Sequence, residues 1–175
     1  MDWSSFENKI VAAAKDGFLA MQKQYFDERF YAFALYTDSG AMTVVLAGNT
    51  VQALDRSLAQ QAEEDLTDET IAYFKWAVSE WAYEGWGAEL LQSVCEELRS
   101  SIDRDDFGDF ERCLHGSMQS ALLRLKNDGV FKVGSDLKSP TLFVAITDDD
   151  RSEELENNSA LILNDRAAGE DFLKR

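Results

Sequence analysis

Residues 29–49 read RFYAFALYTDSGAMTVVLAGN, two runs rich in aromatic and β-branched residues on either side of Asp38-Ser39-Gly40. Such runs favour strands, because branched and ring side chains pack well on a pleated surface. Asp, Ser and Gly favour turns, since short polar side chains bond back to the backbone and Gly accepts positive φ. The stretch therefore predicts a β-hairpin.

Helices are expected around it. Upstream, Phe6, Ile10, Ala14, Phe18, Met21 and Tyr25 recur at three- and four-residue steps, and Ser4 with Glu7 has capping-box spacing, so residues 4–25 read as an amphipathic helix. Downstream, Asn49 or Thr50 can cap a helix striped by Val51, Leu54 and Leu58, before the acidic run EEDLTDE at 63–69. Two further helices carry Leu91, Val94, Leu98 and Ile102, then Phe110, Leu114, Met118, Ala121 and Leu125, the second closed by Gly129. After Pro140, TLFVAIT at 141–147 reads as a buried strand, and RSEELENN after the Asp run as a short helix or loop. A hairpin, then helices, then a late strand is an α+β order. The expectation is one domain over 1–175, an antiparallel sheet including the hairpin, packed against several amphipathic helices.

The chain carries 33 acids against 17 bases, a formal charge of −16. Up to Gly87 there are 14 acids and 6 bases, and beyond it 19 and 11, so each part carries −8. An evenly negative surface repels phosphate backbones and anionic lipid heads. That argues against nucleic acid or membrane as partner, and favours a basic protein or simple solubility. The first residues, MDWSSFENKI, lack a basic segment followed by an apolar one, so no signal peptide is expected and the reading is cytoplasmic.

Several chemistries find no support. The single histidine, His115, lies between Leu114 and Gly116 in an expected helix, and G-x-S-x-G, P-loop and G-x-G-x-x-G patterns are absent. Cys95 and Cys113 fall in helical apolar patterns and read as buried free thiols; two Cys and one His make no zinc site. DRDDFGDFERCL at 103–114 starts like a calcium loop but has Phe107 at position 5 and Leu114 at position 12. No cofactor is called for. Asp148, Asp149 and Asp150 stay candidates for interaction or for a divalent cation, since hard cations take carboxylates without a strict motif.

The stretch YFKWAVSEWAYEGW at 73–86 holds three of the four Trp. Trp76, Trp81 and Trp86 are spaced five apart, which neither helix nor strand puts on one face. A change of structure resolves this: YFKW extended, a turn at Ala77-Val78, and a helix entered at Ser79. Trp76, Glu80, Trp81, Tyr83 and Glu84 are the candidate interaction or pocket residues. Glu80 and Glu84 would share a face if that segment is helical, and carboxylates beside aromatics suit sugar or cation binding. The same aromatics can equally seal a core edge.

The combination of FYAFALYTD, KWAVSEWAYEG and AITDDD followed by SALILN resembles the bacterial family catalogued as domain of unknown function 4303. Its pattern is matched by Phe30 to Asp38, Lys75-Trp76, Glu80-Trp81 and Tyr83-Glu84. Ala77-Val78 departs from it, standing where the family has a Ser-Pro-like turn. The resemblance implies no defined activity. By analogy of type it implies an acidic binding protein such as an immunity protein that neutralises a basic toxin, or else a small-ligand or enzymatic module.

Overall fold

The computed structural model describes residues 1–132 and 139–175. In chain order it contains α1 (Trp3–Gln24), β1 (Phe30–Asp38), β2 (Val45–Thr50), α2 (Val51–Leu58), α3 (Asp68–Trp76), β3 (Tyr83–Glu84), α4 (Gln92–Ser100), α5 (Phe107–Asn127), β4 (Thr141–Thr147), α6 (Ser152–Leu163) and α7 (Arg166–Phe172). The class is α+β, with helices on both faces of one four-stranded sheet of order β3-β2-β1-β4.

β1 and β2 form the expected hairpin, in antiparallel register from Phe30↔Thr50 to Tyr36↔Val45. Asp38 organises the turn: its carboxylate accepts from the Gly40 amide at 2.8 Å, the Met42 amide at 3.1 Å and the Thr43 hydroxyl at 2.5 Å. The sheet as a whole is mixed, which corrects the antiparallel expectation. β4 runs parallel to β1, from Ala32↔Thr141 to Asp38↔Thr147. With β2 on one edge of β1, the other edge is reached only after the helices, and the chain returns to it at the starting end. The unbroken apolar run of β4 fits a strand covered on both faces.

Two apolar layers result from the alternation of side chains along each strand. Phe33, Leu35, Leu46, Leu142 and Val144 face α1, α4 and α5. Ala32, Ala34, Ala47, Phe143 and Ala145 face the other way, toward Trp76, Trp81, Ala160 and Phe172. Small residues on that side of β1 leave room for the indoles above them.

Some boundaries differ from expectation. α1 is capped by Asp2, whose carboxylate accepts from the Ser4 and Ser5 amides at 3.1 and 3.2 Å, rather than by Ser4. Its stripe is unaffected, with Phe6, Ile10, Ala14, Phe18 and Met21 buried. Thr50 caps α2, and α5 buries all five expected residues. Ile102 lies beyond the end of α4 and is 89% exposed. Cys113 sits on the solvent side of α5 and is exposed, not buried, while Cys95 is half-buried with its thiol 3.4 Å from the Val44 carbonyl oxygen. The segment after Arg151 is helical, as α6.

β4 ends the sheet, yet its outer edge is not bare. The Ser159 hydroxyl accepts from the Val144 amide at 2.9 Å, and Asn164 bonds both backbone groups of Leu142. α6 thus supplies in side chains what a fifth strand would supply in backbone. Among the described residues no helix is long and apolar enough to cross a membrane.

Candidate functional site

YFKW is helical rather than extended. Thr67 caps α3 by accepting from the Thr70 amide at 3.1 Å, and Asp68 and Glu69 fill the first turn, where a negative charge suits the helix dipole. These start signals override the strand preference of the aromatics. α3 stops at Trp76, Ala77 is extended at φ −73° and ψ 112°, and a single 3-10 turn covers Val78–Glu80. Ser79 makes no cap hydrogen bond to the backbone. Tyr83 and Glu84 follow as the edge strand β3, so Glu80 and Glu84 do not share a helical face.

The Lys75 carbonyl oxygen fixes this corner. It accepts from the Tyr31 hydroxyl at 2.6 Å and from the Trp81 indole N–H at 3.1 Å. Trp76 meets Tyr31 and Phe172 edge-on at 5.8 and 4.8 Å, and Trp81 meets Phe143 at 5.5 Å. Both indoles are buried, on either side of the turn, against the alanine face of the sheet.

Tyr83 packs on the opposite face, stacked on Tyr25 at 4.0 Å. Its hydroxyl donates to Glu28 at 2.6 Å, and the Thr50 hydroxyl and Arg56 donate to the same carboxylate. Burial pushes the Tyr83 phenol up, reinforced by the bond to Glu28, to about 12. Burial also raises the Glu28 carboxyl, but the hydrogen bonds from Arg56, Thr50 and Tyr83 outweigh it and leave its pKa lowered.

The candidate acids occupy separate places. Glu80 accepts from the Tyr73 hydroxyl at 2.9 Å, which raises the Tyr73 pKa. Glu84 accepts from the Tyr36 hydroxyl. Asp148, Asp149 and Asp150 follow Thr147, which pairs with Asp38, so they lie at the end of β1 remote from Tyr31 and the Trp corner. Asp149 is held by Arg151, whose hydrogen bonds lower its pKa to about 2. Arg151 also grips the buried Glu111 in a two-pronged pair at 2.7 and 2.9 Å. Among the described residues no group of three His, Cys, Asp or Glu is arranged to hold a metal ion.

Beside the Trp corner a groove of about 570 Å³ opens along one side of α3. Asp68, Ala72 and Trp76, four apart, form one stripe, and Glu69, Tyr73 and Ala77 the next. Glu156, Lys174 and Arg175 form the facing wall. Arg175 is engaged internally: it donates to Glu156 and Asn157 at 2.6 Å each and lies 3.9 Å over the Phe172 ring. Tyr73 is 53% exposed. Glu63, Glu64 and Asp65 sit on a short exposed 3-10 turn just ahead of α3.

Of the candidates named from sequence, only Trp76 lines this groove, with Glu80 tied to it through Tyr73. The sequence reading did not single out Tyr73, Asp68 or Glu69 as site residues. Their signal was the stretch from Ser57 to Phe74, which contains five acids and no base.

No curated protein and no solved structure matches the chain. A family model described as Domain of unknown function (DUF4303) matches residues 10–165, from within α1 to the residue that caps α7. That span takes in all four strands, the Trp corner and the Ser159–Asn164 edge, and the chain belongs to this family.

Proposed function

We propose that the protein is a non-enzymatic binding module that docks a basic protein through the carboxylates of residues 63–69, and that neutralising a basic toxin is the biological form of this binding. One observation carries the reading. Glu63, Glu64, Asp65, Asp68 and Glu69 are all exposed, and none is paired with a base among the described residues. Some other acids are paired with bases, as at Glu28–Arg56 and Glu7–Arg124, and in residues 148–154, which also hold five acids in seven positions, Arg151 interrupts the run and holds Asp149. Five like charges in seven positions raise a local potential that speeds encounter with a positive surface, while exposed Tyr73 offers the amphipathic contact common at interface centres.

The test compares the immobilised wild type with Glu63→Gln/Glu64→Gln/Asp65→Asn/Asp68→Asn/Glu69→Gln on extract from its own cells at low salt. The expected result is one basic protein retained by the wild type, released by a salt step and missed by the variant. With that protein purified, its association rate should fall by about tenfold or more between low and physiological ionic strength. Equal retention by both chains would overturn the reading, as would an association rate indifferent to salt.

A further inference from the structure

We infer that the groove along α3 receives an arginine or lysine side chain of the basic partner, with its methylene stem on Ala72 and Trp76 and its charged head at Asp68 and Glu69. This rests on the reading of residues 63–69 as a docking surface, and names what enters the cavity beside it.

Shape and polarity favour such a side chain. At about 570 Å³ the groove falls within the usual range of ligand sites, ~300–1,000 Å³. Ala72, Trp76 and Ala77 give it an apolar lining, and Asp68 and Glu69 a negative margin. Lys and Arg bury their stems on apolar surface while the head stays with polar groups. The positive end of α3 amounts to only about half a charge, so two unpaired carboxylates on its first turn outweigh it.

The aromatic ring at the margin adds to this. Tyr73 lines the groove while its hydroxyl is held by Glu80, which limits the freedom the ring would lose on meeting a cation. On the facing wall Arg175 is neutralised by Glu156, and Lys174 repels a cationic head, directing it toward α3. The fold already contains the interaction inferred: Arg175 stacks on Phe172 at 3.9 Å, and the Lys75 ammonium lies 4.7 Å from the Trp76 ring centre. An anionic side chain would meet Asp68 and Glu69, and a second copy of this chain would bring its own charge of −16. A basic partner is the occupant these charges select.

Amidated octa-arginine is the probe, titrated against tryptophan fluorescence at ionic strengths of about 0.01 M and about 0.15 M, where the screening length is roughly 30 and 8 Å. Ala72→Phe fills the groove without altering charge, Tyr73→Phe keeps the ring, and Glu63→Gln/Glu64→Gln/Asp65→Asn removes charge outside it. At the higher ionic strength Ala72→Phe should weaken binding about tenfold, whereas Tyr73→Phe and the triple variant stay within about threefold of wild type. A thermal melt verifies that Ala72→Phe is folded, and Asp68→Asn/Glu69→Gln should reproduce its loss without any change of volume. Wild-type affinity in Ala72→Phe at both ionic strengths would overturn the groove inference and leave the docking surface standing. No saturable binding of octa-arginine by the wild type would also overturn it, while the extract comparison decides the broader reading separately.

Discussion

Asn164 closes the outer edge of β4 on Leu142: its carboxamide donates to the Leu142 carbonyl at 2.7 Å and accepts from the Leu142 amide at 2.9 Å. A side-chain amide here reproduces the donor and acceptor of a neighbouring strand, and the same nitrogen also reaches the Ala160 carbonyl at 2.8 Å. Asn164→Ala should cost about 1–3 kcal/mol, because Leu142 loses both partners at a partly covered site. Asn164→Asp should cost more, since a carboxylate repels the carbonyl it replaces a donor to. Urea unfolding of both variants checks the order.

Arg151 is the sole base paired with the buried carboxylate of Glu111 among the described residues. Arg151→Ala should destabilise the fold by leaving the Glu111 carboxylate without a base, though by less than the loss of a fully enclosed pair because the guanidinium is more than half in water. His115, one turn along α5, reports on the same cluster. Burial lowers its pKa, with Arg151 adding to that effect and Glu111 and Asp149 opposing it. As the only histidine, it can be followed by NMR. Its midpoint should lie below the ordinary 6.5 in the wild type and rise in Arg151→Ala.

Asp149 sets an acid limit. Its pKa in the fold, about 2 through the hydrogen bonds of Arg151, lies below the ordinary unfolded value of about 3.9. The unfolded chain therefore takes up a proton first as pH falls. The associated stability is present above about pH 4 and disappears toward about pH 2. Asp149→Asn should flatten the pH dependence of the melting temperature in that window.

Tyr83 acts at the alkaline end with the opposite sign. Its phenol is held at about 12, above the ordinary 10, so the folded chain keeps its proton longer than the unfolded one. This contribution is complete below about pH 10 and is lost as pH rises toward about 12. Tyr83→Phe should lose about 1.5–3 kcal/mol near neutrality, the worth of a hydrogen bond to a charged group, and should blunt alkaline unfolding.

The two indoles of the corner differ in what they contribute. Trp76→Ala should cost about 3–5 kcal/mol by opening a void against Phe172 and Tyr31. Trp81→Phe keeps most of the volume and should cost about 1 kcal/mol, mainly for the lost N–H bond to the Lys75 carbonyl. Denaturant titrations of the two variants separate packing from hydrogen bonding.

What could be read from sequence was local and periodic. The Asp38 turn, the stripe of α1, the stripe of α5 and the strand at 141–147 all follow from side-chain spacing within one element. The direction in which β4 meets β1 is a relation between segments more than a hundred residues apart, and no local pattern carries it. The rings of YFKW suit a strand, but the Thr67 cap six residues before Tyr73, with Asp68 and Glu69 in the first turn, decides for helix. The groove was legible only as an excess of acid between Arg56 and Lys75. Its facing wall comes from Glu156 of α6 and from Lys174 and Arg175 just after α7, brought back from the far end of the chain.

The alternation of β1 has a consequence for how changes combine. Phe33 and Leu35 belong to one apolar layer and Ala32 and Ala34 to the other, with only strand backbone between them. Substitutions on opposite faces share few partners, so their stability effects should sum, whereas pairs within a layer should interact. The aromatic side could thus be remodelled, for a different partner, without disturbing the packing of α1 on α5.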